Sequence, residues 1–200
     1  MNKENKNKVI EIVYKKPDGS EAGGVERYAA NLSKILEKNN INVSFAYAYT
    51  DTKPKPYKPN DIAIKIPNIP FLKKLIYNIL LYKKLKRLRF NGIIHINGDN
   101  GVFCTKIKTA HTIFTLHGSG LQYSLVLIKM GSFYNILDIL GNFVSGILEL
   151  FAYINSDYVF SVSKYCSNFM QSFKYRNVII AHPASNVENN KIVKIYLKLN

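Results

Sequence analysis

The fold is decided by residues 9–36, which read VIEIVYKKPDGSEAGGVERYAANLSKIL. This stretch begins with an apolar run of strand length, interrupted only by Glu11, and the run predicts a buried β-strand. The loop over 15–24 then holds one proline and three glycines, the residues that most strongly interrupt regular structure. Apolar residues recur at helical spacing from Val25 to Leu36. A strand that passes through glycines into a helix is a geometry that binds phosphate, because the helix N-terminus carries unpaired N–H groups.

That loop matches neither of the complete glycine fingerprints, G-x-G-x-x-G and G-x-x-x-x-G-K-[ST]. An ordinary connection between a strand and a helix therefore stays open beside the ligand-binding interpretation. The missing fingerprint also argues against a dinucleotide-dependent oxidoreductase, which needs those glycines and an acidic residue for the ribose.

The length indicates one domain, or one domain plus a fragment of another, and the composition indicates a full hydrophobic core, since 47% of the 200 residues are hydrophobic. The two cysteines, Cys104 and Cys166, lie far apart, which fits a reducing compartment. The charged N-terminus precedes only a short apolar run and does not resemble a secretory signal. We therefore expect a cytoplasmic protein.

The net charge of +15 predicts attraction to polyanions, meaning nucleic acid, anionic lipid or phosphorylated substrates. No carboxylate occurs between Asp61 and Asp99, and a basic amphipathic helix is predicted over 71–90. We expect its apolar stripe to consist of Leu72, Leu75, Ile76, Ile79, Tyr82, Leu85 and Leu88. Its opposite face carries the residues predicted to meet an anionic membrane surface, namely Lys83, Lys84, Lys86 and Arg87. A core-packed helix with a solvated basic face is the other interpretation, and the two are compatible.

Strands and helices alternate along the rest of the chain. Further strands are predicted over 43–47, 62–66, 93–96, 113–116, 158–162 and 178–181. Further helices are predicted over 102–108, over 122–153 as one helix or two, and over 164–173 with Ser163 as its cap. Charged residues at Lys129, Asp138 and Glu149 argue against a transmembrane span over 122–153.

This alternation predicts an α/β fold with a Rossmann-like, doubly wound parallel sheet that is covered on both faces. Ligands of such sheets bind beyond the carboxyl ends of the strands. The predicted strand ends carry glycines or polar residues, namely Gly23–Gly24, Asn97–Gly98, His117–Gly118, Ser163 and His182. Their convergence on one edge favours a ligand site there.

Three segments in this order resemble the N-terminal, acceptor-side domain of GT-B glycosyltransferases, specifically the retaining family 4. They are GGVERYAANLSKILEKNNINVSF (23–45), IIHINGDNG with TIFTLHGSG (93–120), and INSDYVFSVSKYCSNFM with VIIAHP (154–183). The resemblance implies transfer of a sugar from a nucleotide-sugar donor to a glycan or lipid-linked acceptor. The nucleotide-sugar is then a co-substrate, and no cofactor or metal is expected.

The resemblance also implies roles for single residues. Gly23 and Gly24 match the glycine loop that meets the donor diphosphate, and His117 matches the histidine beside the reacting sugar. Glu26, Asn97, Gly118 and Ser163 are the expected acceptor or sugar ligands. A neutral histidine can hold a sugar hydroxyl, and backbone N–H groups can stabilise the charge that develops on a diphosphate leaving group.

The chain departs from the family where His182-Pro183 stands in place of an Asn-Gly pair, and no donor-binding domain follows residue 186. We therefore predict an acceptor-side domain over 1–186, with 187–200 a linker or the truncated start of a donor domain. In the second case, 192–199 is interpreted as the start of the next strand. Alone, such a chain is expected to be inactive. The alternatives are a subunit that pairs with a separate donor-domain chain, and a basic module that binds membrane or nucleic acid, although no nucleic-acid recognition motif is present.

The remaining histidines do not favour a metal site. His95 lies within an apolar strand and is predicted to be a core histidine with satisfied hydrogen bonds. His95, His117 and His182 lack the paired spacing of zinc ligands.

Overall fold

In the part of the chain that the structure describes, seven strands form a parallel sheet in the order β3-β2-β1-β4-β5-β6-β7. The computed structural model describes residues 8–20, 22–52, 54–69, 72–129, 136–174, 177–181 and 186–199. The strands are β1 (Lys8–Ile12), β2 (Asn42–Tyr49), β3 (Ile62–Lys65), β4 (Ile93–Asn97), β5 (His111–Leu116), β6 (Tyr158–Ser161) and β7 (Val178–Ile180). Because the strand order reverses between β1 and β4, a crevice opens beyond their carboxyl ends.

Helices cover both faces of this sheet, and each face has its own hydrophobic core. The helices are α1 (Gly24–Lys38), α2 (Lys73–Arg87), α3 (Gly120–Lys129), α4 (Ile136–Asn155), α5 (Lys164–Gln171) and α6 (Asn186–Leu199). Buried residues of α1 and α6 pack on one face, and buried residues of α2, α4 and α5 pack on the other. The predicted doubly wound α/β architecture is confirmed.

The predicted strands are confirmed to within a few residues at each end. They could be predicted because each is a short apolar run bounded by turn residues. The region 122–153 contains two helices, with Gly141 inside the second. The helix expected over 102–108 is a short 3-10 helix, Val102–Lys106. Ser163 caps α5 as predicted, since its Oγ accepts a hydrogen bond from the Cys166 N–H (3.2 Å).

The interpretation of 192–199 as the start of a strand is wrong, since these residues belong to α6. Ile192, Val193 and Tyr196 are buried in the same core as α1. Their spacing reads as a weak alternation in the sequence, but it also places them on one face of a helix. Whether 187–200 precedes a donor domain stays a prediction.

The stripe predicted for α2 is wrong in part. The buried face consists of Tyr77, Asn78, Leu81 and Leu85, of which only Leu85 was expected. Leu72, Ile79 and Leu88 are exposed. The helix carries apolar side chains on most of its sides, so their spacing alone does not show which side is buried. The polar Asn78 turns inward because its side chain bonds the Val102 N–H (2.6 Å) and the Asp99 carbonyl (3.0 Å).

In the part of the chain that the structure describes, no helix combines the length and the apolar character needed to cross a bilayer.

Candidate active site

A cleft of about 430 Å³ lies at the carboxyl edge of the sheet, beside the crevice between β1 and β4. It is lined by segments that follow β1, β4 and β5 and by side chains of three helices. The lining residues are Tyr14, Lys15, Gly23, Val25, Glu26, Lys74, Gly98, Asp99, Asn100, His117, Gly118 and Glu149. The structure thus brings Gly23, Gly98, His117 and Gly118 together, as the strand-end argument predicts, and Glu26 of α1 lies beside them.

The first loop is held in place by Glu26 from the first turn of α1. Its Oε2 accepts a hydrogen bond from the Gly23 N–H (2.9 Å), and its Oε1 accepts one from the Lys15 N–H (3.2 Å). Glu26 is buried, so its carboxylate fixes the loop and satisfies a donor at the helix terminus. The Gly23 N–H is therefore already bonded, and Gly24 is exposed but is not among the residues that line the cleft. Among the described residues outside its chain neighbours and the backbone of its own helix, no atom lies within 4 Å of the position that a Cβ on Gly24 would take.

His117 follows β5 and is held by Asn97 at the end of β4. Asn97 Nδ2 donates hydrogen bonds to Glu11 Oε2 (2.9 Å) and the Ile12 carbonyl (3.2 Å), which fixes the orientation of its amide. Its Oδ1 therefore faces His117 Nε2 at 3.0 Å and accepts the Nε2 proton. This contact selects the neutral tautomer with the proton on Nε2, which leaves Nδ1 as a hydrogen-bond acceptor.

The surroundings of His117 keep its ring neutral. Burial, followed by the influence of His95, lowers the pKa of His117 from 6.5 to about 3. The Tyr28 ring from α1 packs edge-on against the imidazole, with 4.7 Å between ring centroids. A neutral, oriented imidazole is the form that the family resemblance calls for beside a sugar hydroxyl.

A row of buried polar side chains lies behind Asn97 on the sheet face that α1 and α6 cover. Glu11 Oε1 lies 2.8 Å from His95 Nδ1, and His95 Nε2 lies 2.6 Å from Thr115 Oγ1. Tyr196 of α6 adds its hydroxyl at 2.6 Å from His95 Nδ1. All these side chains are fully buried. His95 is thus a satisfied core histidine, as predicted, and the row supports Asn97 and through it His117.

The far wall of the cleft comes from helices that the strand-end argument does not reach. Asp99 Oδ2 accepts hydrogen bonds from Lys74 Nζ of α2 (2.7 Å) and from Ser145 Oγ of α4 (2.6 Å). Glu149 Oε2 accepts one from the Gly120 N–H (2.9 Å). Burial is the main cause that raises the pKa of Glu149 from 4.5 to about 7, and the charge of Asp99 adds to the increase. Glu149 is one of two carboxylates in the largely apolar sequence of α4, the other being Asp138, and this is the signal that could have marked it.

The other predicted site residues lie apart from the cleft or behind it. Asn97 is fully buried, so it stands behind His117 and not at the cleft surface. Ser163 caps α5, and His182 lies outside the described residues. The four basic residues of α2 are exposed in its C-terminal half, whereas Lys74 lines the cleft from its first turn, so they lie about 13 to 20 Å along the helix from Lys74. Their contact with a membrane stays a prediction, as do the direct ligand roles of Gly24, Glu26, Gly118 and Ser163.

The fold is that of the Rossmann-like domains of GT-B enzymes, and sequence comparison gives the family. The model of Glycosyltransferase Family 4 matches residues 22–188. The chain belongs to this family, and its structure is that of the N-terminal half of a GT-B enzyme. A comparison with curated proteins gives no match.

Solved structures show the same fold at low sequence identity. A sucrose-phosphate synthase from Thermosynechococcus elongatus matches with a TM-score of 0.59 at 14% identity, covering 96% of this chain and 98% of that one. A UDP-N-acetylglucosamine 2-epimerase from Listeria monocytogenes matches with a TM-score of 0.58 at 14% identity, covering 88% and 45%. An α-glucosyltransferase in complex with UDP and a 13-mer DNA matches with a TM-score of 0.50 at 14% identity, covering 90% and 43%. The chain therefore spans less than half the length of the last two.

Proposed function

We propose that this chain forms the acceptor-side half of a retaining glycosyltransferase, which moves a hexosyl group from a nucleotide-sugar to a glycan or lipid-linked acceptor. Membership of family 4 supports a sugar-transferring role. The observation that carries the finer proposal is the imidazole of His117, which Asn97 holds as one neutral tautomer at the rim of the cleft.

Each side of the cleft has a part in the proposed reaction. The Nε2–H of His117 donates its hydrogen bond to Asn97 Oδ1. Nδ1 is therefore left to accept a hydrogen bond from a donor-sugar hydroxyl, which orients the sugar. The N-terminus of α1 lies beside the diphosphate, where open space over Gly24 permits close approach. Negative charge grows on that group as the glycosidic bond breaks, and a helix N-terminus stabilises it. Glu149 and Asp99 face the cleft from the acceptor side and bind acceptor hydroxyls.

We further propose that a second domain supplies most of the contacts to the nucleotide, so that this chain alone transfers little sugar. A separate donor-domain chain is the alternative source of those contacts. This chain covers a little under half of two of the structural relatives. Their greater length is compatible with either arrangement.

The test is a sugar-transfer assay on this chain fused to the second half of a family 4 enzyme, with radiolabelled UDP-sugars as donors. We expect negligible transfer by the chain alone and transfer by the fusion. His117→Ala in the fusion should reduce the rate by about 10²-fold, the loss typical of a removed transition-state contact. His111→Ala is the matched control, because His111 is exposed at the amino end of β5 and should leave the rate unchanged.

Two results would contradict the proposal. Turnover of nucleotide-sugars at ordinary enzyme rates by the unfused chain would show that it holds a complete donor site. A His117→Ala fusion that keeps full activity would show that His117 takes no part in the reaction.

We also propose a location at the inner face of the cytoplasmic membrane, where Lys83, Lys84, Lys86 and Arg87 attract anionic lipid. Such a location would bring the cleft to lipid-linked acceptors.

A further inference from the structure

A second and larger cavity, of about 730 Å³, lies between the first turn of α2 and the outer part of α4. Its walls are largely apolar and include Leu75 from α2 and Leu140, Val144 and Leu148 from α4. These three residues of α4 are spaced four apart, so they form one row along the helix. A mostly apolar cavity of this size with a few polar groups is typical of a small-molecule site.

This cavity adjoins the candidate active site. Tyr14 and Lys74 line both, so they stand at the boundary between the apolar cavity and the polar cleft. Asp99 holds this boundary together, because its Oδ2 accepts hydrogen bonds from both Lys74 and Ser145. A ligand that spans the boundary would place an apolar part in the cavity and a polar part beside Glu149.

The charges around the cavity mouth balance approximately. Lys73 and Lys74 are opposed there by Asp138 and by the Asp99 carboxylate that Lys74 binds. This balance does not select a strongly anionic occupant and suits an uncharged head group, such as a sugar, attached to a hydrocarbon chain.

The outer surface next to the cavity is also apolar. Exposed side chains continue along α4 and onto the neighbouring α3, including Phe143, Ile147 and Ile128, each about half exposed. Exposed apolar surface of this extent marks an interaction site in a water-soluble fold. A hydrocarbon chain can therefore approach the cavity across a surface that does not repel it.

We infer that the α2–α4 cavity holds the hydrocarbon part of the acceptor, and that its sugar or hydroxyl head lies in the adjoining cleft. The inference rests on the proposed function, because it assigns the cavity to the acceptor of that reaction. It names the acceptor class as an amphiphile with an uncharged polar head and an alkyl or isoprenoid chain.

Gly141 provides the test, because it lines the cavity and, among the described residues outside its chain neighbours and the backbone of its own helix, no atom lies within 4 Å of the position that its Cβ would take. In Gly141→Leu the new side chain fills empty space, and the helix gains by losing an internal glycine. The probe is octyl glucoside below its micelle concentration, titrated against the chain by calorimetry, with glucose as the head-group control. We expect saturable binding of octyl glucoside, no binding of glucose at the same concentrations, and at least tenfold weaker octyl glucoside binding by Gly141→Leu.

Phe143→Ser is the matched control on the same helix. It removes exposed apolar surface that does not line the cavity, so we expect octyl glucoside binding to be unchanged. Equal weakening by Phe143→Ser and Gly141→Leu would assign binding to the open surface and overturn the inference. It would also be overturned if the unmodified chain bound no octyl glucoside, or if Gly141→Leu bound it normally. The titration requires no catalysis, so the two proposals can fail separately. If octyl glucoside does not bind, the sugar-transfer proposal is unaffected. If the transfer assay fails, the measured affinity of the cavity for octyl glucoside remains valid.

Discussion

The ring of His117 depends on residues that never reach the cleft. Asn97 fixes its tautomer, and Glu11 and the Ile12 carbonyl fix Asn97. A histidine at a strand end is a weak signal by itself, whereas a histidine whose Nε2 proton is assigned by a buried amide is prepared for one kind of hydrogen bond. The chemistry of the cleft is therefore set one layer below its surface.

We predict that His117 stays neutral, with its proton on Nε2, down to about pH 4. Its pKa is lowered to about 3, whereas an unperturbed histidine titrates near 6.5. Nitrogen-15 NMR of the imidazole over pH 4–8 measures this directly. In Asn97→Ala the acceptor for Nε2 is lost, so we expect a mixture of both neutral tautomers. Titration of His117 near pH 6.5 in the unmodified chain would contradict the assignment.

We predict that Glu149→Gln stabilises the chain at neutral pH and not at acid pH. The pKa of Glu149 is raised from 4.5 to about 7 by burial, so between these values the folded state holds a proton that the unfolded state has lost. The free energy by which Glu149 stabilises the folded state therefore declines as the pH rises through that window. Glutamine mimics the protonated acid. The free energy of unfolding of the variant should therefore exceed that of the parent by up to about 3 kcal/mol above pH 7 and by almost nothing below pH 4.5.

Urea unfolding of both proteins over pH 4–8 tests this, with Glu37→Gln as the control at an exposed position of α1. The control should change the free energy of unfolding by less than about 0.5 kcal/mol throughout. A difference between Glu149→Gln and the parent that does not vary with pH would show that Glu149 ionises normally in the folded state.

At the scale of the elements, α6 connects the end of the described chain to the polar row beneath the site. Tyr196 is fully buried, and its hydroxyl lies 2.6 Å from His95 Nδ1. We predict that Tyr196→Phe lowers the free energy of unfolding by about 1 kcal/mol, the typical value of one lost hydrogen bond. Leu197→Ala, at an exposed position one residue further on, should have little effect. If the two variants have equal stability by urea unfolding, the contact between α6 and His95 does not stabilise the fold.

The elements differ in how well the sequence predicts them, and the reason is physical. Each strand of the sheet is a short apolar run between turn residues, a local property, so all seven were predicted. The helical state of α6 and the buried face of α2 depend on distant partners, namely His95 for Tyr196 and Val102 for Asn78. Spacing within a helix that is apolar on most sides does not reveal such partners.

The same distinction separates the two walls of the candidate site. Gly23, His117 and Gly118 follow strands, and the rule that parallel strands end at one edge brought them together. Lys74 and Glu149 come from helices, and only the packing of α2 and α4 places them opposite the strand ends. Glu149 is one of two carboxylates in the largely apolar α4, but nothing in the sequence gave the direction in which its side chain points.

At the scale of the whole molecule, the net charge is +15, and helices on both faces of the sheet carry lysines. We predict that the chain binds anionic vesicles weakly, that salt abolishes the binding, and that Lys83, Lys84, Lys86 and Arg87→Gln reduces it at least tenfold. The physical reason is the concentration of these charges on one exposed helix face, each worth about 1 kcal/mol near an anionic surface. Cosedimentation with phosphatidylserine vesicles at several salt concentrations is the measurement.

The matched control removes the same charge from the opposite face of the sheet, through Lys34, Lys38, Lys191 and Lys194→Gln on α1 and α6. We expect this variant to bind vesicles nearly as well as the parent. Equal losses in both variants would indicate attraction by net charge alone. Strong salt-dependent binding to duplex DNA without binding to vesicles would favour the nucleic-acid alternative.

The position of β1 has a consequence for biosynthesis. This strand pairs with β2, which begins at residue 42, and with β4, which begins at residue 93. At a translation rate of about 5–20 residues per second, the ribosome needs several seconds after making β1 before the second neighbour exists. During that interval an apolar strand with one open edge is exposed to other nascent chains, so we expect chaperones to bind this protein early in its synthesis.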